Sequence, residues 1–287
     1  MLRKIQLGKS EHGVLILALG NRMYVEKAFN LALSIRATTP NTSITLVHSN
    51  NISELSVEQR FLFNKLIECN KEYYTLGDGA TSYIKAKLYL DKLTPYKRTL
   101  FLDADMIMSP YKTLDDLFTQ LNGLEFAMIC RGEDKDFSQW VDAEEVCKNY
   151  NIEKYYDCSS ELMYFESTDI FEDARIIHEE ITDGKIWFRK FANGVPDEPP
   201  IIIAMLQKFS KPFQVPFKPS YWQPVEKFMK DLDIWNNFYL LSMGGKVTEK
   251  RIVGYYDNIV KWYSSKMGIA SFKHTDKQAY LAERKTM

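Results

Sequence analysis

The run GVLILALG at 13–20 is broken by no polar side chain and is bounded by glycines. That is the pattern of a central strand covered on both faces. Val25, Ala28, Phe29, Ala32, Leu33 and Arg36 then recur at three- and four-residue steps, predicting a helix that Thr38, Thr39 and Pro40 stop. ITLVHSN at 44–50 predicts a second strand. Strand, helix and strand at this spacing form a βαβ unit, whose strands pair in parallel with a right-handed crossover. An α/β domain of nucleotide-binding type is the expected opening.

A further repetition follows. Ser82 to Leu93 predicts a helix with Ile84, Leu88 and Tyr89 on one stripe and Pro95 closing it, and RTLFLDADMIM at 98–108 predicts an apolar strand ending in acids. Open parallel sheets bind ligands beyond the carboxyl ends of their strands, which is where Asp103 and Asp105 fall. Later, FAMIC at 126–130 and ELMYF at 161–165 predict short strands, with 131–157 a helical or loop insertion. Val225, Phe228, Met229, Leu232 and Trp235 have helical spacing within 225–239, and the stretch from Val195 to Pro224, holding seven of the ten prolines, predicts loops.

Composition narrows the function classes. With 287 residues, 45% hydrophobic and 26% charged, the chain can bury a large core. A net charge of -1 supplies no global field for a polyanion. Cys69, Cys130, Cys147 and Cys158 show neither C-x-x-C nor close His/Cys spacing, so no zinc cluster or disulfide framework is expected. No stretch reaches the roughly 18–20 uncharged apolar residues that span a bilayer. The first apolar run meets Asn21, Arg22 and Glu26 rather than a small-residue cleavage site, which argues against a signal peptide. A soluble, cytoplasmic protein is the expectation.

The sharpest motif is Asp103-Ala104-Asp105. In a straight strand residues i and i+2 point to one side, so both carboxylates can converge on a hard cation at the strand's end. Mg²⁺ or Mn²⁺, shared with substrate phosphates, suits such ligands. A bare D-x-D is also a common solvated turn or helix cap. Here Thr99, Leu100, Phe101, Leu102 and Met106 set the charges against apolar strand, where charges need partners.

KLYLDKLTPYKRTLFLDADMIMSPYKTLDDLF, residues 87–118, resembles the core segment of glycosyltransferase family 8, the glycogenin-like and lipopolysaccharide-galactosyltransferase-like enzymes of the GT-A fold. The likeness rests on Lys87, Tyr96, Lys97, Arg98, Asp103, Asp105 and the run Asp115 to Phe118, in the family's order and spacing. It implies a Rossmann-like GT-A domain with a central, mostly parallel sheet flanked by helices. It also implies a sugar-nucleotide donor, commonly a UDP-sugar, a divalent metal on Asp103 and Asp105, and retaining transfer. The whole of 1–287 is then one domain: 13–118 the nucleotide-binding half, 119–245 the sugar and acceptor half, and 246–287 a basic closing segment with nine Lys plus Arg against four Asp plus Glu.

The resemblance carries further residues with it. Tyr24, in GNRMY with Asn21, takes the place of the tyrosine set against the donor base, although a core aromatic there is the competing reading. Lys87 matches a donor-contacting lysine, and Lys85, two positions away, should face elsewhere on a helix. CSSELMYFEST at 158–168 resembles an N-S-G segment in which Glu161 replaces glycine; Glu161 either blocks close backbone approach or is itself a catalytic or sugar-binding acid. The family's D-Q pair falls on Asp197 and Glu198, which a surface turn would also explain. His274 and Lys277 in FKHTDK stand where a third metal ligand and a diphosphate lysine are expected, without that motif's glycine, proline and tryptophan. His12 lies before the first strand, His48 within a strand and His178 on a helix with acids, so they suit structural roles better.

The implied activity is metal-dependent sugar transfer to a hydroxyl acceptor: a glycan, a protein or a modified nucleic-acid base. A sugar-nucleotide nucleotidyltransferase shares this core, but Gly20-Asn21-Arg22 is too meagre for its Gly-rich loop. A non-catalytic nucleotide- or glycan-binding module is the remaining alternative.

Overall fold

The computed structural model describes residues 10–133, 138–166, 169–191, 194–213, 218–222, 238–242 and 250–273. Its opening unit is strand β1 (Ser10–Ala18), helix α1 (Arg22–Thr38) and strand β2 (Ile44–His48). His12 therefore lies within β1, not before it. Helix α2 (Val57–Arg60) leads to β3 (Lys65–Glu68), a strand the hydrophobic pattern does not announce because its residues are mostly exposed.

The segment expected as one helix over 82–93 is a 3₁₀ helix, Tyr83–Tyr89, followed by a short α3 (Leu90–Leu93). The expected strand over 98–108 also divides, into β4 (Tyr96–Asp103) and β5 (Met106–Met108), with a turn at Ala104-Asp105. After α4 (Leu114–Leu121) come β6 (Phe126–Glu133), α5 (Ala143–Tyr150), β7 (Tyr156–Phe165) and α6 (Asp169–Thr182).

Where prolines predicted only loops, α7 runs from Glu198 to Phe209. Pro199 and Pro200 sit in its first turn, whose N–H groups have no partner within the helix, so proline costs nothing there. Strands β8 (Lys218–Trp222) and β9 (Phe238–Ser242) and helix α8 (Lys250–Met267) complete the described elements. Of the helix expected over 225–239, residues 225–237 lie outside the described residues, while Phe238 and Tyr239 begin β9.

The main sheet has six strands in the order β3-β2-β1-β4-β7-β6. Pairs β3/β2, β2/β1 and β1/β4 are parallel, and β7 is antiparallel to both β4 and β6. A smaller sheet, β5-β9-β8, takes over the chain after the turn at Asp105. Alternate strand residues feed two cores: Val14, Ile16, Leu100 and Leu102 pack on the side of α1, α4 and α8, and Leu15, Phe101 and Phe165 on the side of α6 and α7. Each fully buried large apolar side chain contributes about 1.5–3 kcal/mol relative to exposure.

Helix α1 is covered on nearly every face, because α8 and β5 pack against the side the sheet leaves open. The α8 hydroxyl of Tyr263 donates to Met108 O at 2.7 Å, and Asn30 of α1 exchanges two hydrogen bonds with the Phe272 backbone. The strand order reverses between β1 and β4, and the crevice above their carboxyl ends is where such sheets take ligands. Asp103 is at that edge, paired in register with Leu17. Among the described residues no helix is long and apolar enough to cross a membrane.

Candidate active site

Asp103 is the last residue of β4 and Asp105 lies in the turn that follows, so the two carboxylates share the strand's end rather than one face of a continuous strand. Burial pushes the Asp103 carboxyl up to about 8, with Asp105 adding to the shift and Lys87 opposing it. Asp103 is thus held against its own ionisation even with a positive charge beside it.

That charge is Lys87. Its Nζ lies 2.9 Å from Asp103 Oδ1 and 3.1 Å from Oδ2, 3.4 Å from Asp197 Oδ2, and 3.1 Å from Ser160 Oγ, to which it donates. Burial works against the ammonium, but Asp103 and Asp197 more than offset it, and the Lys87 pKa is raised. Lys85 points away and donates from Nζ to Thr75 O at 2.6 Å. In a 3₁₀ helix each residue advances about 120°, so positions two apart still diverge. Arg175 on α6 fixes the lysine-bearing segment through a forked pair to buried Asp91, at 2.8 and 3.2 Å, and a bond to Leu88 O.

The opposite wall comes from β7 and α7. The β6 ladder steps from Met128↔Met163 to Ile129↔Ser159, and the β4 ladder ends at Leu102↔Leu162, so Ser160 and Glu161 fall in a bulge between them. Such bulges re-aim side chains beside functional sites. Ser160 Oγ donates to Asp197 Oδ2 at 2.5 Å, and Ser160 N donates to Glu198 Oε1 at 3.1 Å. Trp140 Nε1 donates to Glu198 Oε2 at 2.5 Å. Asp197 and Glu198 are both buried, so the surface turn considered for them does not occur. The first turn of α7 favours their negative charge. Glu161 is buried on β7 beside Ser160.

Tyr24, on α1, packs half-buried against the core. Burial raises its phenol, with Asp105 and Asp103 adding, which sets the hydroxyl within electrostatic reach of the acid pair. Asn21 caps α1 by accepting from Met23 N at 2.9 Å. Beside it Gly20 has φ +81, and a Cβ there would meet the Tyr83 ring at 2.3 Å, so only glycine fits this close approach.

The structure brings Lys87, Asp103, Asp197 and Glu198 into one network, with Asp105 and Tyr24 alongside. Sequence reasoning missed Trp140 as a partner of Glu198, since nothing local links positions 58 apart. It set His178 aside, yet this buried histidine on α6 feels both Lys85 and Asp197, and burial lowers it to about 4. His274 and Lys277 lie outside the described residues. Among the described residues no group of three His, Cys, Asp or Glu is placed to hold a metal ion.

No protein-family model matches the chain, and no curated protein matches it in sequence. Solved structures match in fold. The apo bifunctional glycosyltransferase WbbM is similar at 13% identity and a TM-score of 0.54, over 91% of this chain and 52% of that one. The chain therefore spans about half the length of WbbM. The galactosyltransferase LgtC, solved with donor and acceptor sugar analogues, is similar at 13% identity and a TM-score of 0.51, over 89% of this chain and 95% of that one. The fold is shared with these glycosyltransferases: a mostly parallel central sheet flanked by helices.

Proposed function

We propose that this chain transfers a sugar from a nucleoside-diphosphate donor, most simply a UDP-sugar, to a hydroxyl acceptor with retention of configuration. The observation that carries this reading is Lys87, largely covered at the carboxyl end of the strands and bonded at once to Asp103 and, directly and through its contact with Ser160, to the Asp197 side. A structural ion pair needs one carboxylate. This lysine serves two, from opposite walls of the crevice.

Asp103 and Asp105 fit a hard divalent cation, Mn²⁺ or Mg²⁺: both are carboxylates, and the strain against ionising Asp103 is of the kind such an ion removes. His274 is the candidate third ligand. When bound, the ion neutralises charge on the departing diphosphate. Lys87 adds fixed positive charge beside the same oxygens, with no reorganisation at the moment of reaction. Tyr24 is the side chain we assign to the donor base, a reading supported by its nearness to the acid pair. Asp197 is the acid we assign to the transferred sugar's hydroxyls. Glu198, with both oxygens engaged by Ser160 N and Trp140, orients that wall, and buried Glu161, next to Ser160 on β7, is the remaining acid assigned to it.

The test is turnover of UDP-sugars by purified protein with Mn²⁺, read as released UDP, because transferases slowly pass their sugar to water. We expect UDP release that requires the metal and falls about a thousandfold, equivalent to ~4 kcal/mol, in Asp105→Asn. Donor binding without any turnover would overturn the enzyme reading in favour of a binding module. Metal-dependent release unaffected by Asp105→Asn would overturn the assignment of the site.

A further inference from the structure

Two thiols face each other at the edge of this site. Cys130 and Cys158 are direct partners in the antiparallel β6/β7 ladder, and their sulfurs are in hydrogen-bond contact. Antiparallel partners hold their Cα atoms about 4.5–5.5 Å apart, within the roughly 4.4–6.8 Å that a disulfide bridges. Neither is in a disulfide; Cys158 is buried and Cys130 is partly open to solvent. The ladder shifts register on either side of them, between Met128 and Ile129 and between Cys130 and Gly132. Cys158 stands two residues before Ser160, and the stretch the pair would close carries Trp140, the donor to Glu198.

We propose that Cys130 and Cys158 form a reversible oxidation site, closed by exchange with a small-molecule disulfide, and that closure stiffens the Ser160 and Glu198 wall of the crevice. The first half of the inference does not depend on the sugar-transfer reading. Cys130, the accessible sulfur, attacks the small disulfide as thiolate, giving a mixed disulfide and one small thiolate. Cys158 then loses its proton to solvent and attacks the Cys130 sulfur, expelling the second small thiolate. Two electrons pass from the protein thiols to the small disulfide, which leaves as two thiols. The hydrogen bond to Cys130, followed by burial, holds the Cys158 thiol well above its ordinary range. Cys158 is therefore the resolving partner, and closure is slow at neutral pH.

The experiment treats the full chain with oxidised glutathione and counts thiols. Of the four cysteines two should remain titratable, with Cys130 and Cys158 linked in peptide mapping and dithiothreitol restoring both. Cys130→Ser and, separately, Cys158→Ser should each abolish the link, whereas Cys69→Ser and Cys147→Ser should leave it. Four thiols remaining, or a glutathione adduct on Cys130 that persists even when the pH is raised to speed exchange, would overturn the oxidation site. On closure we expect Tm to rise by about 5 °C and amide exchange across 156–162 to slow about tenfold. A disulfide that forms while that exchange is unchanged would overturn the coupling to the site.

Discussion

Lys87 and Asp103 reach the crevice from positions 16 apart on one contiguous stretch, whereas Ser160, Asp197, Glu198 and Trp140 are gathered across separations of 37, 38 and 58. The first wall is built from regular parallel strands and a short helix that follow one another. The second depends on an antiparallel strand with a bulge and a helix begun by prolines. The same kind of group, a carboxylate, sits on both. Asp103 is at a strand's exposed end, where a ligand can meet it. Glu198 is enclosed, with both oxygens already bonded to the protein. On that difference we assign ligand contact to Asp103 and positioning to Glu198.

Lys87 is where the walls meet, so removing it tests the comparison hardest. Lys87→Met leaves half-buried Asp103 and buried Asp197 without their cation, and we expect urea denaturation to show a loss of about 3–5 kcal/mol. A loss below ~1 kcal/mol would mean the walls are held together elsewhere.

His178 reports on the second wall through pH. Burial, with Lys85 adding and Asp197 opposing, lowers it from 6.5 to about 4. The unfolded chain takes up this proton as pH falls below 6.5, and the native chain does so only near 4, so stability drops across that window by up to ~3 kcal/mol. His178→Gln should flatten the acid-side slope of stability against pH. An unchanged slope would remove His178 from the account.

A smaller effect is expected at Trp140→Phe, which keeps the ring but leaves a Glu198 oxygen without its N–H donor. It should cost about 2 kcal/mol and leave UDP affinity within about twofold. A larger loss of affinity would move Glu198 from positioning to ligand contact. The smallest effect is at Asn21→Ala, which removes the α1 cap and should cost about 1 kcal/mol in thermal denaturation. A fall in UDP affinity as well would show that Asn21 touches the nucleotide in addition to capping.

The same contrast explains what the chain makes legible. Continuous apolar runs and three- and four-residue steps announce β1, α1, β2 and β4, because each element's pattern is local. The acid pair is visible for the same reason. Pro199 and Pro200 misdirect, since proline reads as a loop signal even though a helix's first turn accepts it. The break at Ala104-Asp105 is hidden because Met106 to Met108 continues the apolar run while changing sheets. The bond from Trp140 to Glu198 has no local signature at all. Only the packing of the segment before α5 against the start of α7 brings them together.

Calorimetric titration of UDP into the protein, with and without Mn²⁺, compared with Asp105→Asn, tests the central claim most directly. The account predicts that Mn²⁺ tightens UDP binding at least about tenfold, ~1.4 kcal/mol, and that the Asn variant loses this gain while remaining folded. UDP binding indifferent to Mn²⁺, or an Asp105→Asn protein that keeps the full metal effect, would contradict it.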